Sequence, residues 1–380
     1  MSDNNVVKTI EEPRRYGRFA RLYHGLTTVD FVGRRRTWFT MSLIVIVLGM
    51  GSLAIRGFNL GIDFRGGSSW EVLAPHSSIT AVTHAVDAAG LSQPTVEKLG
   101  SKTYQVTADL NSLSSAQQGV VTTRVVNALA KVAGTSPNQV STASVGPTWG
   151  GQITQRALEA LIVFFIAVIA YISLRFEPKM AVAAFAAMIH DLLVTVGVYS
   201  LFGFQITPDT VIAVLTILGY SLYDTVVVFD RIRDNTAGVL KSGELSYADM
   251  VNLSMNQTLA RSINTSLVAI LPVLSVLIVG AYILGATTLQ NYGLALVVGL
   301  LSGAYSSIFI ASPLLSILKE REPRFRELSQ RVSQRAARPV LTPVAAAMIT
   351  SEGSPTPRPT SASRAKGPAI QARARKPKRR

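Results

Sequence analysis

Among the ionisable residues in or at the edge of long apolar stretches, three could do chemistry. Asp191 follows His190 within an apolar window at 180–202, Asp224 lies in Gly219-Tyr220-Ser221-Leu222-Tyr223-Asp224-Thr225 within 206–229, and Arg261 opens the window 262–284. An Asp or Arg at the centre of a membrane helix costs ~2.5–3.5 kcal/mol on insertion scales, and such residues are functional by default. Asp224 is about 9 Å of helix from Asp230 at 1.5 Å per residue, too deep for a short carboxylate to reach water. Arg261 has a second reading, a long side chain snorkelling from a helix end, and the two residues together have a second reading as a structural ion pair. The chemistry open to a buried carboxylate near a guanidinium is proton uptake and release. Burial and a nearby guanidinium push a carboxyl pKa in opposite directions, each by up to a few units, so protonation depends on their separation. A potential of about 130 mV supplies ~3 kcal/mol per charge, roughly two pKa units, enough to switch such a pair. Asp191 is carried as a further titrating candidate.

Other chemistries lack their residues. With no cysteine there is no disulfide, thiolate nucleophile or cysteine zinc site. His24, His76, His84 and His190 have no metal-ligand spacing, and no G-x-x-x-x-G-K-[ST] loop occurs. The expectation is a protein that is not an enzyme and needs no metal or cofactor.

The elements that must position these residues follow from composition. Of 380 residues 48% are apolar and 16% charged, with mean hydropathy +0.33. Six mostly apolar windows lack a basic residue: 38–55, 158–174, 180–202, 206–229, 262–284 and 292–315. About 20 residues cross a bilayer, so the fold class expected is an α-helical polytopic membrane protein with six transmembrane helices. Charge sets the topology. The segments 1–37 and 316–380 are basic, and the short loop 175–179 and the long loop 230–261 carry Lys and Arg, so these are placed in the cytoplasm, whereas 203–209 and 285–291 carry no Lys or Arg. Span 1 reads as an uncleaved anchor, because its run is long for a signal peptide.

Residues 316–380 hold 16 basic and 4 acidic side chains. The positive-inside rule accounts for them, so no specific nucleic-acid partner is expected. The rival reading, ribosomal RNA or anionic lipid, rests on Arg373, Arg375, Lys376, Lys378, Arg379 and Arg380. From about 331 the Pro/Ser/Ala/Arg composition predicts disorder. The polar stretch 56–152 predicts strands at 69–73, 95–99, 103–108 and 139–145 and helices at 78–89 and 116–132. That order is βαββαβ, the split, ferredoxin-like pattern of a small extracytoplasmic α+β domain. Gly299, Gly303 and Ser307 place small residues four apart, a spacing that lets helices approach closely. Ser246 with Asp249 resembles a helix N-cap leading toward span 5.

At this point a family enters. Gly61-Ile62-Asp63-Phe64-Arg65-Gly66-Gly67 resembles the signature of the SecF family, subunits of the bacterial SecD–SecF protein-export complex within the resistance-nodulation-division superfamily. Asp30 to Arg35, Arg175-Phe176-Glu177 with Ile189-His190-Asp191, the run Gly219 to Arg233, and Gly303 to Pro313 agree in order. The resemblance implies six spans, one large extracytoplasmic domain after the first, both termini cytoplasmic and residence in the bacterial cytoplasmic membrane. It maps the family's Asp–Arg pair onto Asp224 and Arg261, and its motif onto Gly61, Asp63, Arg65, Gly66, Gly67, Asp230, Arg231 and Arg233, with Gly299 and Gly303 in span 6. It implies SecD as heterodimer partner, the SecYEG channel, SecA and YajC only indirectly, an unfolded exported polypeptide, and membrane lipid. The driving force implied is the proton-motive force. The loop between Asp224 and Arg261 reads as slightly longer than in the family, near Gly238 to Gly243. Two rival readings stand beside this one: half of a proton-coupled small-molecule or lipid exporter, and a scaffold without proton transport.

Overall fold

A backbone in an apolar slab must satisfy its hydrogen bonds within itself, so uninterrupted windows of this length fold as helices. The structure, a computed structural model, describes residues 27–91, 94–242, 245–284 and 286–334. Among the described residues six helices are long and apolar enough to cross a membrane. They are span 1 (Arg35–Arg56), span 2 (Thr148–Arg175), span 3 (Pro178–Phe202), span 4 (Pro208–Gly238), span 5 (Tyr247–Ile283) and span 6 (Leu289–Glu320). Spans 3, 4 and 6 are the most enclosed, while spans 1 and 2 lie at the margin.

The helices outrun their apolar windows. The stretch 230–261, expected as a loop, is mostly helix: the helix of span 4 continues to Ser242 and that of span 5 begins at Tyr247. Apolar residues persist there at helical spacing, and Phe229, Ile232, Tyr247, Met250 and Val251 are all buried in one cluster. The polar residues between them find partners across the helix pair, as where Asn235 Nδ2 donates to Ser254 Oγ at 2.8 Å. Ser246 caps span 5, its Oγ accepting from the Asp249 amide at 3.2 Å. The insertion expected near Gly238 to Gly243 includes Gly243, which lies outside the described residues.

At the C-terminal end, where disorder was expected from about residue 331, helix continues to residue 334. Span 6 runs to Glu320, and Pro323–Gln334 forms a further helix. Phe325 anchors it, buried with its ring 4.6 Å from that of Tyr247. The disorder expected beyond residue 334 and the first part of the N-terminal segment, 1–26, fall outside the described residues.

Between spans 1 and 2 stands the small α+β domain. Its elements are β1 (Gly67–Leu73), α1 (Ile79–Ala88), β2 (Thr95–Leu99), β3 (Thr103–Ala108), α2 (Ser115–Ala133) and β4 (Ser141–Val145). The sheet order is β2-β3-β1-β4, antiparallel throughout, which is the split arrangement that the βαββαβ order predicts. Alternation decides the faces. Trp70, Val72, Tyr104 and Val106 are buried with Val82 and Val86 of α1 and Val125 and Leu129 of α2. Ser69, Glu71, Gln105 and Thr107 occupy the other face, where Gln105 Nε2 donates to Ser69 and Glu71.

Candidate functional site

Serine is tolerated inside apolar helices, and its one hydroxyl proton must go to some acceptor. In this bundle several of those protons go to two carboxylates. Asp191, in span 3, is 1% exposed. It accepts from Ser221 Oγ of span 4 at 2.6 Å and from Ser302 and Ser306 Oγ of span 6 at 2.8 and 2.7 Å. His190 Nδ1 lies 3.1 Å from its Oδ1. Asp224, in span 4, is 2% exposed. It accepts from Ser262 Oγ of span 5 at 2.9 Å and from Ser307 Oγ of span 6 at 2.5 Å.

Span 6 therefore serves both acids with consecutive residues, Ser306 and Ser307. A regular α-helix turns about 100° per residue, and the backbone from Ser307 to Ala311 departs from it as a π-helical segment. Such segments widen the turn and recur at functional sites. The stripe of small residues supplies the close approach. A Cβ on Gly299 would lie 2.2 Å from Ile217, and one on Gly303 2.9 Å from Ser221. The third member of the stripe, Ser307, is the residue that reaches Asp224.

Arg261 departs from the expected pairing. Its side chain is exposed on the flank of span 5, next to Ser262, and no salt bridge joins it to Asp224 among the described residues. The two serines occupy the carboxylate oxygens instead. These serines, with Ser221, Ser302 and Ser306, are the site residues that sequence reading missed. Their signal was hydroxyls at helical spacing inside apolar windows, Ser302 with Ser306 and Ser262 with Ser266.

The other motif residues fall into two groups. Asp230, Arg231 and Arg233 stitch helix ends at the side away from the sheet domain. Asp230 pairs with Arg175 at 3.2 Å and Arg233 at 2.9 Å, and Arg231 Nε donates to Gln257 at 2.8 Å. Gly61, Asp63, Arg65, Gly66 and Gly67 form the hinge from span 1 into β1. The Gly61 amide donates to Ile206 O at 2.9 Å, and Arg65 Nη2 donates to Phe58 O at 2.6 Å. Gly66 and Gly67 have φ of 76° and 121°, the region that L side chains avoid. A Cβ on Gly67 would also lie 2.8 Å from Ala108 O. Burial raises the pKa of Asp63, a hydrogen bond at its own backbone opposes this, and the charge of Asp209 adds to the rise.

The comparisons agree with this geometry. The model of the family "Protein export membrane protein SecD/SecF, C-terminal" matches residues 125–321, and that of the "SecD/SecF GG Motif" matches 51–72. The protein translocase subunit SecF of Streptomyces coelicolor is 42% identical over 320 residues, covering 84% of each chain. The chain belongs to the SecF family. The SecF of Mycobacterium tuberculosis strain H37Rv is 41% identical over 87% of this chain and 76% of its own length. A crystal structure of SecDF from Thermus thermophilus superposes with a TM-score of 0.68 at 32% identity, over 78% of this chain and 39% of that one. This SecF-family chain thus spans about two fifths of the SecDF structure it matches. The stretch matched by the GG-motif model contains one adjacent glycine pair, Gly66 and Gly67, and both stand at positive φ where the chain enters β1.

Proposed function

We propose that this chain is an accessory subunit of the Sec protein translocase that uses the proton-motive force to complete export of unfolded polypeptides. SecD is its heterodimer partner and SecYEG the channel it serves, with SecA and YajC in indirect contact. It works in the bacterial cytoplasmic membrane with both termini in the cytoplasm and the sheet domain outside. Its role is not enzymatic and needs no cofactor beyond the proton gradient. SecF-family membership and the fused SecDF relatives support the partner.

The observation that carries the proton reading is Asp224, fully buried among helices yet held by only two hydroxyls. An ionised carboxylate accepts hydrogen bonds and a protonated one donates. Ser262 and Ser307 can do either, so the site tolerates both states without leaving a polar group unpaired. Arg261, exposed within a membrane-embedded helix, belongs on a surface that a partner subunit covers. Covered, it would be desolvated, and its pull on Asp224 would strengthen.

Asp224→Asn tests the reading. Asn is nearly isosteric but cannot titrate, so potential-dependent export in inverted vesicles falls to background while ATP-driven export and subunit abundance persist. Normal potential-dependent export at normal abundance would refute the proton role. The scaffold reading makes the opposite forecast, reduced abundance of the variant.

A further inference from the structure

Span 5 touches the proton site near its middle and the sheet domain at its C-terminal end. Ser262 donates to Asp224, and about 30 Å along the helix, at 1.5 Å per residue, Tyr282 meets the β2–β3 turn. There Ser101 Oγ donates to Tyr282 O at 3.1 Å, and the Gly100 amide donates to Gln290 Oε1, at the start of span 6, at 2.7 Å. The seat is tight. Gly100 has φ +62°, and a Cβ there would lie 2.8 Å from Ala281 O. Gln290 is 9% exposed, so its carbonyl has been withdrawn from water to receive this amide.

The helix between these ends is not uniform. Pro272 stands inside it, and residues Val276–Ile283 are π-helical. Proline removes one hydrogen bond from the ladder, and π-helical turns recur at functional sites. This irregular stretch follows Ser262, whose hydroxyl holds Asp224, and contains Tyr282, on which the turn is seated. Residues Ser306 and Ser307 answer to the same carboxylates on span 6, whose first turn carries Gln290.

We propose that span 5 transmits the state of Asp224 to the sheet domain, and that Ser101 of the β2–β3 turn and Gln290 of span 6 are positioning residues fastening that turn to the adjoining ends of spans 5 and 6. The proposal rests on the proton-driven reading above. It assigns the coupling step, as distinct from proton uptake, to a contact remote from the acid.

The chain has no cysteine, which makes the test clean. In the full complex with SecD and the channel, in inverted vesicles, the variant Ser101→Cys/Tyr282→Cys/Gln290→Ala replaces the hydroxyl that donates to the Tyr282 carbonyl by a weak thiol donor and removes the side-chain acceptor of the Gly100 amide. Its potential-dependent export is expected to fall at least fivefold at normal abundance, while proton flux through the complex stays within twofold of the parent. A short thiol-to-thiol crosslinker joining residues 101 and 282 then restores export to within twofold. Parental export before crosslinking, or no recovery after verified crosslinking, overturns the proposal. Asp224→Asn run alongside separates the two failures. Normal export by Asp224→Asn overturns the proton reading and this inference with it. Loss in Asp224→Asn together with parental export by the fastening variant overturns this inference alone.

Discussion

Asp191 and Asp224 are carboxylates of equal length, both buried in the same helix bundle and both approached by span 6. They differ in how many donors surround them. Asp191 receives three hydroxyls from two neighbouring helices and faces the ring of His190, so both oxygens are occupied twice. Asp224 receives two hydroxyls, one per oxygen, and has an exposed arginine nearby. Four hydrogen bonds tie Asp191 to its neighbours, and in an apolar interior a donor parted from it finds no water. Asp224 is tied by half as many. Two acids of the same type in one slab are thus divided by their neighbours into a fixed joint of spans 3, 4 and 6 and an adjustable contact of spans 4, 5 and 6.

The sharpest way to break this contrast is to remove the fixed joint. Asp191→Ala leaves three serine hydroxyls and an imidazole without their acceptor, and truncating one member of a buried charged network costs about 3–5 kcal/mol. Loss of most folded subunit is expected, measured as abundance in membranes and melting temperature in detergent. Unchanged melting would show that Asp191 is no joint. The next effect comes from making one substitution at each site. Ser307→Ala removes half the donors of Asp224, and a hydrogen bond to a charged group is worth ~1.5–3 kcal/mol. Potential-dependent export should fall about tenfold, since ~1.4 kcal/mol is tenfold. Ser302→Ala, where three other donors remain, should leave export within about twofold on the same scale. Equal effects would erase the distinction.

The smallest effect concerns an acid outside the slab. Glu97 of β2 accepts from Asn59 Nδ2 at 2.6 Å, and Asn59 also donates to Gly203 O, so the residue helps dock the sheet domain. Burial raises its pKa above the ordinary 4.5, and the Asn59 hydrogen bond only partly offsets this. The folded state therefore prefers the protonated acid. Stability is highest below the unfolded value, declines as pH climbs through the raised one, and is level above it. Glu97→Gln keeps an acceptor for Asn59 without the charge. Melting temperatures measured across that window should show a shallow decline in the parent and a flatter line in the variant.

How far the sequence could be read depended on whether a signal is local. Asp191 and Asp224 stand out because a charge in an apolar window is anomalous wherever it points. The βαββαβ order of the sheet domain was legible from alternation and from stripes such as Val82 with Val86. The serine partners were not legible, because a hydroxyl in a membrane helix is unremarkable until the rotation of its neighbours is known. The placing of Arg261 relative to Asp224 was not legible for the same reason, since motif position cannot say which flank of span 5 the arginine takes. The loop expected at 230–261 failed on polarity. Outside an apolar slab a helix needs only one buried stripe, and hydropathy windows average that stripe with its charged opposite face. The seat of Gly100 on Gln290 depends on how a folded domain rests on helix ends nearly 200 residues away, and no local pattern carries that.

The clasp ahead of span 1 shows what such distances impose. Asn252 Oδ1 accepts from the Phe31 and Val32 amides, each at 2.9 Å, and its Nδ2 donates to Asp30 at 2.8 Å. One turn on, Asn256 exchanges hydrogen bonds with the Val29 backbone. A chain is made from its N-terminus, so residues 29–32 leave the ribosome long before their partners exist. Their amides stay hydrated at the membrane edge through the synthesis of four spans. Only when the helix carrying both asparagines has been made can this strap close, and with it the burial of Phe31 and Val32. A segment made before the first span is thus held by one made with the fifth, and a copy truncated before residue 252 leaves those two side chains and three amides open to quality control.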